Sequence, residues 1–103
     1  MYIPKQFTIN DQVIRVEIVD KLEGSKYGDY NDVKELIRIS KTIEIDKEII
    51  NLSEDQILNT FFHEVFHAFQ FHSKGEYSES EASSYAGMMV ELVKSGNLKI
   101  TSE

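Results

Sequence analysis

Two histidines four residues apart, His63 and His67, enclose Glu64 in the order His-Glu-x-x-His. At about 100° per helical residue, that spacing sets both imidazoles on one face, one turn above the other. Imidazoles so placed can grip a zinc ion, and the glutamate beside them can serve as a base. A lone histidine is more often an ordinary hydrogen-bonded or solvent-facing side chain. Here two share a face and Glu64 stands where the chemistry needs it, which favours the metal.

Zinc in a catalytic site takes three protein side chains and leaves a fourth position for water. The chain has no cysteine, and the remaining histidine, His72, lies about 140° around the helix from His67. The third ligand is therefore expected to be a carboxylate from another element. Glu79 and Glu81 compete for that place.

The element that must carry the pair is a helix. Ser53 with Gln56 three residues on reads as a capping box, Gly75 reads as a stop, and no proline intervenes. Gln56, Asn59, Thr60, His63, His67 and Gln70 form one polar stripe, with Glu64 at its edge. The rest of the circumference is apolar: Ile57, Leu58, Phe61, Phe62, Val65, Phe66, Ala68 and Phe69. A helix apolar over most of its surface belongs inside the fold, and a polar stripe on it needs partners. The helix is predicted over about 54–72, and a second over about 78–95.

In the second helix Ala82, Ala86, Met89 and Val93 form the stripe that packs against the first, and extending it backwards reaches Glu79. Glu81 points about 100° away from Ala82 and can instead close a capping box with Ser78. Phase favours Glu79. Two helices in a flush antiparallel hairpin, rising about 1.5 Å per residue, would instead set residues 82–84 level with His67, so Glu81 stays an alternative.

His63-Glu64-x-x-His67 followed by Glu79-x-x-Ala82 resembles the glutamate-ligand zincin (gluzincin) metallopeptidases, in particular the small ImmA/IrrE-like proteins of phages and mobile elements. The resemblance spans roughly residues 35–95. It implies His63, His67 and Glu79 as zinc ligands and Glu64 as the catalytic base. The chain departs from that pattern at Ser83, where relatives commonly carry asparagine or aspartate, and in having no long C-terminal region.

The length of 103 residues with 41% hydrophobic content suits one domain, 1–103, with one modest core. The absence of cysteine excludes a disulfide framework and a thiolate metal site, and is consistent with the cytoplasm. The N-terminal residues have no apolar stretch of signal-peptide length, and no run approaches a membrane span, so neither secretion nor a membrane partner is expected. A net charge of −7 with scattered basic residues argues against nucleic acid. The expected partner is a polypeptide substrate, with one dedicated regulatory protein as a special case; oligomeric state is open.

Ahead of the helices the chain reads as strands. Ile14, Val16 and Ile18 alternate with Arg15 and Glu17. The stretch 24–32 is rich in turn formers and reads as a loop. Ile37, Ile39, Ile43 and Ile45 share one parity, giving either one strand over 35–46 with Lys41 on its inner face or two strands bent near Ser40-Lys41. Gly96-Asn97 begins a short polar tail. The predicted fold is α+β: a small, mostly antiparallel N-terminal sheet, then the metal helix and a packing helix.

The leading functional reading is a zinc metalloendopeptidase. Zinc polarises the scissile carbonyl and acidifies its water, and Glu64 takes the proton and delivers it to the leaving amine. A strand beside the metal helix would hold an extended peptide by backbone hydrogen bonds. The alternatives are a catalytically silent zinc-binding regulatory or interaction module and a structural zinc domain; a site that only holds metal needs no base between its ligands. Tyr77 and Tyr85 are candidate oxyanion donors, with packing the commoner role. His72 near the helix end suits the helix dipole.

Overall fold

The computed structural model describes residues 3–97. Strands β1 (Gln6–Ile9), β2 (Gln12–Lys21), β3 (Gly28–Asn31), β4 (Leu36–Ile45) and β5 (Glu48–Asn51) precede helices α1 (Glu54–Ser73) and α2 (Glu79–Ser95), the α+β order expected. Two of the sheet's reversals are two-residue turns with both central residues at positive φ: Asn10 and Asp11 between β1 and β2, and Asp46 and Lys47 between β4 and β5. Such turns carry the twist that matches an antiparallel hairpin. The β3–β4 reversal instead uses Asn31, whose Oδ1 accepts the N–H groups of Val33 and Lys34 at 2.9 and 3.0 Å.

β4 is the central strand. β2 lies parallel to it on one side, with Val16 opposite Ile37 and Ile18 opposite Ile39. On the other side β3 pairs antiparallel with its first half and β5 antiparallel with its second. The choice between one strand and two is thus resolved as one strand that changes partner at Ser40-Lys41, with Lys41 exposed. Ser40 is fully buried at that junction, and its hydroxyl accepts the Leu22 N–H at 3.2 Å and donates to the Thr42 carbonyl.

The segment expected as a loop contains β3, and this is a correction. Gly28, Asp29 and Asn31 have weak strand preference; pairing with Ile39, Arg38 and Leu36 of β4 overrides it. Arg38 strengthens the pairing from the side: its Nε donates to Asp29 Oδ1 at 3.0 Å and its Nη2 to Asp29 Oδ2 and Glu23. That contact ties the short helical turn Glu23–Ser25 to the strand it precedes.

The core lies between the sheet and α1. Ile14, Val16, Ile37 and Ile39 meet Leu58, Phe61, Phe62 and Val65, with Ala86 of α2 completing it. Each large apolar side chain buried there contributes about 1.5–3 kcal/mol. Ile14 and Val16 are buried as the alternation requires, whereas Ile18 is left 41% exposed. Ala82 and Ala86 are fully buried, and their small side chains let α2 lie close on α1.

Both bonds of the capping box form at the start of α1: Gln56 N–H to Ser53 Oγ at 3.1 Å and Ser53 N–H to Gln56 Oε1 at 2.8 Å. At its end Gly75, at φ 74°, turns the chain and donates to the carbonyls of Gln70 and Phe71. α2 is capped by one bond, Glu81 N–H to Ser78 Oγ at 3.3 Å, rather than by the reciprocal box expected. No helix among the described residues is long and apolar enough to cross a membrane. The polar tail beyond Asn97 lies outside the described residues.

Candidate metal centre

The polar stripe of α1 faces α2 and the cleft beside it. His63 and His67 approach edge to face, with Nε2 atoms 3.1 Å apart. Glu79, the first residue of α2, brings Oε1 to 3.1 Å from His63 Nε2 and 2.5 Å from His67 Nε2. These three ligand atoms form a group that could hold a metal ion. Glu81 is not part of it; it borders a separate recess with Phe66, Phe69 and Tyr77.

A flush hairpin would have brought residues 82–84, not Glu79, level with His67. The chain avoids this by doubling back sharply after Gly75, so that the Ser78 peptide reaches the side chain of Gln70. Glu79 therefore enters at the level of the histidines, and its long side chain closes the remaining distance.

His67 is buried, and its Nδ1 lies 2.9 Å from Gln70 Oε1. An amide oxygen only accepts, so Nδ1 donates, and in a neutral imidazole the lone pair is then on Nε2. That lone pair meets the Glu79 carboxylate at 2.5 Å, two acceptors that attract only through a cation or proton between them. The donor set fits zinc, which takes histidine nitrogens and carboxylate oxygens at about 2.0–2.2 Å in tetrahedral order, with ligand atoms about 3.3 Å apart. The 3.1 Å separations are close to that spacing, and the shorter His67–Glu79 pair must open slightly.

Glu64 is also buried, and it lines a cleft of about 650 Å³ together with His63, Glu79, Thr60, Gly28 and Lys26. Burial pushes its carboxyl up to about 7, and the negative charges of Glu79 and Asp29 add to the rise while His67 opposes it. Glu79 behaves oppositely: desolvation raises its proton affinity, but the His63 and His67 rings, when protonated, outweigh that and hold it below the usual carboxylate range. Two carboxylates with separated proton affinities suit different roles, one able to carry a proton near neutrality and one held ionised.

The cleft owes its shape to Gly28. A Cβ there would fall 2.5 Å from Thr60 Cγ2 and 2.8 Å from the Arg38 carbonyl oxygen, so only glycine lets β3 and α1 come this close. β3 ends the sheet on this side, with its outer edge unpaired among the described residues. The sequence reading overlooked Gly28, Lys26 and Tyr27 as cleft residues because it placed them in a loop. Of the cleft residues on α1, Gln56, Asn59, Thr60 and His63 belong to the polar stripe seen in the sequence, whereas Asp55 does not.

The remaining candidates have other partners. Tyr85 stacks on Phe66 with ring centroids 4.5 Å apart and is a packing residue. The Tyr77 ring meets His67 edge to face at 5.4 Å, but its hydroxyl donates to Asp32 at 2.7 Å. His72 lies 2.7 Å from a Glu35 carboxylate oxygen, clamping the end of α1 to the β3–β4 turn. Comparison of the chain with protein-family models, with curated proteins and with solved structures gave no match.

Proposed function

We propose that the protein is a zinc-dependent metallopeptidase that hydrolyses a peptide bond in a polypeptide substrate, a function that agrees with the zincin-like motif of α1. His63, His67 and Glu79 would hold the metal. The observation that carries the reading is that one cleft is lined by two of these ligands and by the buried carboxyl of Glu64. A purely structural metal site needs ligands but neither an adjoining cleft nor a carboxyl beside them.

When bound, zinc supplies Lewis acidity toward a carbonyl oxygen and lowers the pKa of a coordinated water. Glu64 accepts the proton of the attacking water on its carboxylate and returns it to the nitrogen of the departing amine. The unpaired edge of β3 offers backbone N–H and C=O groups to an extended peptide, which would lie as an added strand along the cleft. Burial of Glu64 limits the water that competes for its proton.

The test is hydrolysis of unstructured polypeptides by purified, zinc-reconstituted protein, followed by mass spectrometry. Cleavage that a strong chelator stops and added zinc restores supports the reading. Full zinc occupancy with no cleavage across a broad peptide library would favour the silent binding module.

A further inference from the structure

Gln70 lies three residues after His67 on α1, is buried, and touches the centre without reaching the cluster of ligand atoms. Its amide meets the Ser78 peptide twice: Oε1 accepts the Ser78 N–H at 3.3 Å and Nε2 donates to the Ser78 carbonyl at 3.3 Å. These two contacts decide which way the amide points, since the reverse orientation would set donor against donor and acceptor against acceptor. With the oxygen fixed, the 2.9 Å contact to His67 requires the proton on Nδ1. The lone pair is then on Nε2, aimed at Glu79.

We propose that Gln70 is the positioning residue of this centre, selecting the Nδ1–H tautomer and ring orientation of His67 while holding Ser78, and with it Glu79, in place. One buried amide thereby couples two ligands that come from different helices. The assignment rests on the metal centre proposed above, but the tautomer can be read without metal. Partners of this kind around a metal-binding histidine typically affect metal affinity by roughly 10–100-fold.

The experiment uses long-range proton–nitrogen correlation spectra of the histidine rings in metal-free protein, and zinc affinity by competition with a chromophoric chelator. The wild type is expected to show His67 protonated at Nδ1. Gln70→Leu, close in volume, should shift His67 toward the Nε2–H form and weaken zinc by roughly 10–100-fold, with the helical circular dichroism unchanged. Gln70→Glu keeps an acceptor for Nδ1–H but loses the donor to the Ser78 carbonyl, so it should restore that tautomer and only part of the affinity, which a merely space-filling role would not do. A folded Gln70→Leu that retains both the Nδ1–H tautomer and wild-type affinity overturns the proposal. If Gln70→Leu fails to fold, Gln70→Glu decides: His67 in the Nε2–H form in that folded variant overturns it. A wild type with the Nδ1–H tautomer that takes up no zinc supports the tautomer assignment and overturns the metal centre, so the two failures are distinguishable.

Discussion

His67 Nε2 and Glu79 Oε1 lie 2.5 Å apart although twelve residues and a full reversal of the chain separate them. The contact exists because Gly75 ends α1 abruptly and α2 begins at Glu79 itself, not a turn later. A carboxylate thereby reaches two imidazoles fixed on the preceding helix.

That geometry separates the two acidic residues at the start of α2. Glu79→Ala should reduce zinc affinity severely, because it would remove one of the three proposed ligands. Glu81→Ala should leave zinc affinity unchanged and alter stability by less than about 0.5 kcal/mol, since the cap bond at Ser78 uses the backbone N–H of residue 81. Chelator competition and urea denaturation of both variants check this. Loss of metal from Glu81→Ala with retention by Glu79→Ala would reverse the assignment.

Glu64→Gln should keep the fold and zinc uptake while abolishing peptide hydrolysis, because the amide preserves shape but cannot take the proton. Single-turnover assays with metal content measured on the same samples give the comparison. Undiminished hydrolysis would point to another base.

Gly28→Ala should destabilise the protein by about 1–3 kcal/mol through overpacking against Thr60 and the Arg38 carbonyl. Thr60→Ser removes the methyl that a Cβ at position 28 would meet first, so the double variant should recover part of the loss. Strict additivity in a double-mutant cycle would show that β3 and α1 do not meet as described.

The Arg38–Asp29 pair gives a prediction in pH. The hydrogen bond from Arg38, opposed by partial burial and reinforced by the charges of Arg38 and Lys26, holds Asp29 below the usual value of 3.8. A lowered folded-state pKa contributes stability that is fully present above the unfolded value and disappears as pH falls through the folded one. Asp29→Asn should therefore cost about 1 kcal/mol at neutral pH, and its difference from wild type should shrink as pH drops below roughly 4. Denaturation measured across that range, with a difference independent of pH, would remove the pair from the account of stability.

The features legible in the sequence are those decided within a few residues. The spacing of His63, Glu64 and His67 on one helical face, the capping box of Ser53 and Gln56, and the stop at Gly75 all follow from local backbone geometry. The apolar surround of the polar stripe foretold that α1 would be central, because so much apolar area must be covered by other elements. Helical phase alone also favoured Glu79 over Glu81, and the two lie where that phase puts them relative to Ala82.

What only the tertiary structure decided depends on partners distant in the chain. Gly28–Asn31 reads as a loop because its residues favour turns, and it becomes a strand only by pairing with β4. The parallel pairing of β2 with β4 and the change of β4's partner at Ser40-Lys41 are likewise non-local, and alternation of side chains cannot distinguish one long strand from two. Gln70 was visible as a polar residue on a buried helix, yet its partners are the His67 ring and the Ser78 peptide, and the second of these meets it only after the chain has turned back. A single sequence specifies which side chains share a face of one element; which faces meet, and therefore which donors find which acceptors, is settled by the packing of the elements together.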